Sequence, residues 1–406
     1  MFRLILTTYK TSFRGLSKET WLLSLVMLIN RCGYMAVPFM SLYITQGLHR
    51  SPSDAGLIIT LFGVGSIVGS AAGGKLTDII GFRPVQILSS IIGGSLFILY
   101  ATLTHFSTLC ALAAVISFFS EAFRPANFAA IATYAKEGTI TRSYSLNRLA
   151  TNIGWAVGAS MGGLIASYSY PLLFVVDGSV SVLVGLSILF LLPSRQAAHK
   201  AAQAVRANIA VLKPWNDGMF VRFIIVSSIF TTCFFVMFRV VPLFFKEVWH
   251  IDEFNIGLIM GLNGVIIALF EMVMINTIGK KQTPRFFIIT GVLLVALSYL
   301  LLCSPMPFHM GLAVVSMLFF TLGEMSSLPF INTFVISRSN EHNRGLYAAG
   351  YTLTWSFGQI IGPSGGFYLA ETLGYNWLWM IITLLLFSCA ISYRLLLKTK
   401  TAPIPT

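Results

Sequence analysis

Long apolar runs follow one another along nearly the whole chain, at about 20–46, 53–75, 84–105, 108–135, 143–166, 171–193, 219–246, 254–279, 285–304, 309–336, 345–370 and 376–398. A helix needs ~20 apolar residues to cross a bilayer, and these runs are of that size. Within them the periodicity is helical or uniformly apolar, with no ten-residue alternating segments, which excludes a β-barrel. The pattern predicts an all-α polytopic membrane protein with twelve transmembrane helices. The polar breaks are short except one, at about 194–218, whose Ala-rich, basic sequence predicts an amphipathic helix on the inner membrane surface. It divides the chain into an N-terminal six-helix bundle (1–193), a cytoplasmic linker (194–218) and a C-terminal six-helix bundle (219–406).

Composition agrees: 56% of the 406 residues are hydrophobic and only 10% are charged, against roughly 25% charged in soluble domains. The net charge of +13 raises the question of nucleic acid, and its distribution answers it. With the amino terminus placed inside, twenty of the 27 Lys and Arg fall in inner segments and two, Arg50 and Lys246, in outer ones. That asymmetry is the positive-inside rule with both termini cytoplasmic, so nucleic acid is not an expected partner. The five cysteines lie unpaired in apolar segments and read as small buried hydrophobes rather than a disulfide or metal framework.

The halves read as repeats. Glu121 and Glu324 are 203 positions apart, as are the glycine pairs Gly162–Gly163 and Gly365–Gly366, and Pro38 and Pro242 are 204 apart. Three matches at nearly one offset, equal to half the chain, indicate duplication into two pseudo-symmetric bundles, an architecture of secondary transporters.

Two motifs carry a family resemblance. Between helices 2 and 3 stands GKLTDIIGFR, in which Gly74, Asp78, Gly81 and Arg83 match a cytoplasmic loop signature of the Major Facilitator Superfamily; Ile79 and Phe82 stand where basic residues are usual. Helix 5 carries GWAVGASMGG, with Gly154, Gly158, Gly162 and Gly163, and with Ala159 at a position usually Pro. It resembles the antiporter motif of the family's twelve-helix drug/proton antiporter-like branch. Helix 11 has GQIIGPSGG, with Gly358, Gly362 and Pro363. The resemblance implies that Asp78 sits near the N-terminus of helix 11, favoured there by the helix dipole. It also implies that helices 2 and 11, both with glycine ladders, face each other, and that helices 1, 4, 7 and 10 line the cavity.

An ionisable group inside a span costs ~2.5–3.5 kcal/mol on insertion scales and so marks a cavity or a partner. Glu324, in the middle of helix 10, is the sharpest candidate for proton coupling, followed by Glu121 and Glu271. Glu121 and Arg124, three apart, share a face of helix 4, either as an ion pair that eases insertion or as part of coupling. Asp177, near the outer start of helix 6, reads as a solvated or capping residue. Arg31, Arg124 and Arg239 suit anionic groups. With Tyr34, Asn127, Asn263, Asn332, Trp355 and Gln359 they form the expected substrate cavity.

No metal, phosphate-loop or nucleophile motif appears, so an enzyme is not expected. The reading is a proton-coupled secondary transporter working by alternating access, an exporter of drugs, amphiphiles or small metabolites. The alternative is a proton symporter importing a small anionic or zwitterionic solute. No cofactor is implied beyond the proton gradient. The expected partners are a small-molecule substrate, protons and the lipid bilayer, for a monomer in the cell inner (plasma) membrane.

Overall fold

The computed structural model describes residues 13, 15–137, 139–193, 214–277, 282–338 and 344–397. The segment 194–213, with most of the expected linker helix, lies outside the described residues, as do both chain ends.

Among the described residues, the long helices are α1 (Lys18–Gly33), α2 (Pro52–Ile80), α3 (Phe82–Tyr100), α4 (Phe106–Tyr134), α5 (Ile140–Tyr168), α6 (Tyr170–Leu191), α7 (Gly218–Arg239), α8 (Glu253–Thr277), α9 (Pro284–Leu302), α10 (His309–Ser337), α11 (Arg344–Leu373) and α12 (Tyr375–Leu396). Ten of them are long and apolar enough to cross a membrane: α2 to α10, α7 counted with its continuation to Glu247, and α12. Twelve spans were expected. α1 falls short because it stops after 16 residues, and α11 carries a polar, glycine-rich stretch over 352–366.

The chain forms two compact units. Unit one takes the described residues of Met1–Arg50, Leu57–Ala207 and Asp252–Ala268; unit two takes those of Ser51–Gly56, Asn208–Ile251 and Leu269–Thr406. The divide is thus not a single cut in the sequence, since the first part of α8 belongs with unit one.

Each unit repeats one packing scheme. In unit one α1 lies against α5 and α6, and α3 against α4 and α6; in unit two α7 lies against α11 and α12, and α9 against α10 and α12. Backbones come close where glycine removes the Cβ. A Cβ at Gly158 of α5 would stand 2.7 Å from the Arg31 carbonyl of α1, and one at Gly358 of α11 would stand 2.6 Å from the Thr231 backbone of α7. Such contacts replace the hydrophobic drive that lipid removes. In α2, Gly65, Gly69 and Gly73 press on the backbone of Ala114, Phe118 and Ala122, so this ladder packs on α4.

Candidate functional site: a charged cavity at the broken first helix

The site begins with a proline. Pro38 has no N–H and disfavours helical backbone at Val37, and α1 ends at Gly33. The chain crosses 34–39 in turns, with Met35 N–H on the Gly33 carbonyl at 2.7 Å and Phe39 N–H on the Ala36 carbonyl at 3.2 Å. It resumes as a short helix, Met40–Leu42, and a π-helical turn, Tyr43–Gly47. A break leaves amides without helical acceptors, and inside a membrane each must find another. Here the acceptor is Asp177 of α6. The Ala36 amide donates to its Oδ2 at 3.1 Å, and the Met35 amide also bonds the carboxylate.

Asp177 is only 2% exposed. The expectation of a solvated residue is therefore corrected: the carboxylate caps, but it caps the broken end of a different helix from inside the bundle. It can approach because α3 and α6 meet at Gly94 and Gly178, where a Cβ on either would come within about 2.5 Å of the other's carbonyl.

Beside this cap lies a cavity of about 30 Å³ lined by Asn30, Arg31 and Tyr34 of α1, Ser89, Ser90 and Phe97 of α3, Ser120 and Glu121 of α4, and Asp177 and Ser181 of α6, among others. At ~10–15 Å³ per water, it has room for two or three waters. The Arg31 guanidinium lies over the Tyr34 ring, 5.1 Å from its centre. Arg31 Nε and Ser90 Oγ are buried with no hydrogen-bond partner among the described residues. Glu121 pairs with Arg124 at 3.5 Å, Glu121 turned inward at 14% exposure and Arg124 outward at 44%.

The remaining candidates are dispersed. Asn127 lies outside the cavity, in a buried chain where Gln86 Nε2 donates to its Oδ1 at 3.4 Å and its Nδ2 donates to Asn147 Oδ1 at 3.2 Å. Neither partner was singled out from sequence. Asn263 and Glu271 are buried on α8, at 2% and 5% exposure. Arg239 ends α7. Glu324 and Asn332 on α10, and Gln359 on α11, are half-buried. Trp355 packs edge-on to Phe234 and Phe235, 5.7 Å from each. Pro363 sits inside α11.

In the loop motif Gly81 has φ of 90°, a backbone that L-residues avoid. The turn lets Arg83 reach back and donate to the Leu189 carbonyl at 2.6 Å. Gly74 and the exposed Asp78 lie on the last turns of α2. In the helix 5 motif Gly154, Gly158 and Gly162 seat α5 on α1, while Gly163 meets the backbone of Glu253 and Gly257.

A family profile for the Major Facilitator Superfamily matches residues 22–363. The chain belongs to the Major Facilitator Superfamily. It is a polytopic membrane transport protein and not an enzyme. A Na(+), Li(+), K(+)/H(+) antiporter of Planococcus maritimus is 22% identical, over 87% of this chain and 89% of its own. The fold also matches the nucleoside transporter NupG with a TM-score of 0.76 at 16% identity, over 94% of this chain and 100% of that one. A POT family transporter in complex with 5-aminolevulinic acid matches with a TM-score of 0.76 at 16% identity, over 95% and 98%.

The expectation of an exporter working by drug/proton antiport is corrected here. It rested on the helix 5 glycines, and these seat one helix on another, as Gly358 and Gly362 do in unit two. Packing carries no direction. The solved structures that share this fold are described as a nucleoside transporter and as POT family transporters holding 5-aminolevulinic acid or a conjugated peptide, none of them as an exporter.

Proposed function

We propose that this superfamily member is a proton-coupled symporter that imports a small anionic or zwitterionic solute by alternating access of two six-helix units, with twelve spans and both termini cytoplasmic. The observation that carries the reading is Arg31, a guanidinium inside unit one whose Nε has no partner among the described residues. A buried guanidinium suits a carboxylate in a planar, two-pronged contact. Glu121, in the same cavity wall, suits an amino group. Glu121, Glu271 and Glu324 remain the carboxylates proposed for proton coupling, and Arg239, Asn263, Asn332, Trp355 and Gln359 the further lining of the solute path. Asp78 is proposed to act in gating.

Reconstituted vesicles test this with radiolabelled 5-aminolevulinic acid, dialanine, a nucleoside and a lipophilic cation. With acid outside, the two zwitterions accumulate, and dissipating the gradient abolishes accumulation. Arg31→Gln lowers it at least about tenfold, in keeping with loss of a charged hydrogen-bond pair. Extrusion of the cation, or zwitterion uptake indifferent to the gradient, rejects the proposal. For topology, a single cysteine at position 50 reacts with an impermeant reagent in intact cells and one at 205 does not.

A further inference from the structure

The carboxylate that sequence reading set aside is the one built most tightly into the fold. Asp177 holds the backbone amides of the α1 break, lies almost wholly out of solvent, and borders a cavity with room for two or three waters. Two other groups in that wall, Arg31 Nε and Ser90 Oγ, lack partners among the described residues, which is what waters would supply. We propose that Asp177 is a proton-binding site, linked through these waters to Arg31 and Ser90, whose protonation loosens the break in α1.

The chemistry is a single transfer. A hydronium ion relayed through the waters gives its proton to a carboxylate oxygen of Asp177: one O–H bond breaks, one forms, and a neutral water remains. While ionised, the carboxylate accepts from the Ala36 and Met35 amides in charge-assisted bonds, which are roughly twice as strong as neutral ones. Once protonated, it offers those amides a weaker acceptor and gains a donor of its own. The segment 34–39 is then less firmly held, and Arg31 loses one of its counter-charges and is free for a solute carboxylate. Binding of the proton before the anion is the order that symport needs.

The surroundings of Asp177 are defined on every side. α1 presents Arg31 and Tyr34; α4 presents Glu121, with Arg124 beyond it; α3 presents Ser89 and Ser90 and no ionisable group at the cavity. One turn before Asp177, Phe174 is covered by Tyr43 and Tyr100, at 5.0 and 4.8 Å between ring centres.

The inference deepens the symport reading and rests on it only for the use made of the proton, so its test does not need transport. Infrared difference spectra of the full chain in lipid nanodiscs, recorded as pH is lowered, detect the carbonyl stretch of a protonated carboxyl. The expected result is a band lost in Asp177→Asn, restored in Asp177→Glu and kept in Glu121→Gln. In wild type, amide hydrogen exchange over 34–39, corrected for its intrinsic pH dependence, rises with the same titration; in Asp177→Asn it becomes pH-independent. A band unchanged in Asp177→Asn, or exchange over 34–39 that titrates without Asp177, overturns the proposal. If the titration belongs to Asp177 but vesicles show no gradient-driven uptake, the inference stands and the symport reading fails. If uptake is gradient-driven but Asp177 does not titrate, the reverse holds.

Discussion

The two units share a plan and differ in what fills it. Helices of equal length set the correspondence: α3 with α9 at 19 residues, α4 with α10 at 29, and α6 with α12 at 22. On that register Asp177 answers to Ile382, Ser181 to Leu386, Ser90 to Val292 and Ser117 to Phe320. At the repeat offset of 203, Arg31 answers to Phe234. Unit two therefore fills the place of the charged cavity with packed rings, Phe234 lying 5.0 Å from Phe320 and 5.5 Å from Phe238. The backbone follows. With no carboxylate to take freed amides, α7 stops at Arg239 and a short helix, Val241–Glu247, follows after one residue, the Val240 and Phe244 amides keeping helical acceptors at 2.9 and 3.2 Å. A duplicated scaffold has been given a polar, breakable first helix in one copy and an apolar, nearly continuous one in the other. Ionisable features common to both are the glutamate pair Glu121 and Glu324 and the arginine pair Arg83 and Arg285, which donate to the Leu189 and Arg394 carbonyls.

Exchanging the distinguishing residues tests that contrast most severely. Asp177→Ile strands the Ala36 amide at a cost of about 1–3 kcal/mol, while Ile382→Asp introduces a carboxyl into the apolar unit at ~2.5–3.5 kcal/mol. Both lower the thermal midpoint in detergent, and Asp177→Ile alone raises amide exchange over 34–39. Equal exchange in the two variants removes the special role of the break.

Next in size is the helix seat that both units share. Gly158→Leu drives a side chain into the Arg31 and Cys32 carbonyls, and overpacking of this kind costs about 1–3 kcal/mol. Gly365→Ala, with nothing within 4 Å of a new Cβ, leaves the midpoint unchanged. Smaller again is Gly81→Ala, where φ of 90° costs an L-residue ~1–2 kcal/mol; Gly81→Asn recovers part of it.

The smallest effect concerns a clasp in unit two. Asp217 caps α7, accepting from the Met219 and Phe220 amides. It also takes Arg338 Nε and Nη2 on its carboxylate at 3.0 and 2.7 Å and the Tyr347 hydroxyl at 3.1 Å. Burial pushes this carboxyl up, but the Arg338 hydrogen bond, the Phe220 amide and the Arg338 charge outweigh it, leaving it below the usual aspartate value. A carboxyl so held stabilises fully above its unfolded value of about 3.9, and that contribution is lost as pH falls through the lower folded value. Arg338 is 38% exposed, so Arg338→Ala costs only ~0.2–1 kcal/mol. Thermal midpoints of wild type and variant differ at pH 7 and converge in strong acid.

Much of this was legible in sequence. Apolar runs and matches spaced by 203 or 204 residues disclose helices and a repeated plan because both are one-dimensional patterns. Arg31, Tyr34 and Glu121 stood out because charge and polarity inside a span are conspicuous anywhere. Asp177 was misplaced because distance from a helix start is a poor measure of burial; its partner amides belong to a segment 141 positions away and are exposed only by what Pro38 does to α1. Gln86 and Asn147 escaped because their meaning lies in Asn127 between them. The glycine motif misled because glycine spacing reports close packing, and close packing serves transport in either direction.

The central claim is that unit one couples a proton to an incoming solute through Asp177. Simultaneous recording of labelled 5-aminolevulinic acid entry and of lumenal pH in the same vesicles tests it most directly. The account predicts that solute and protons enter together in wild type, and that Asp177→Asn exchanges solute across the membrane without accumulating it or acidifying the lumen. Protons leaving as solute enters, or proton-coupled accumulation undiminished in Asp177→Asn, would contradict it.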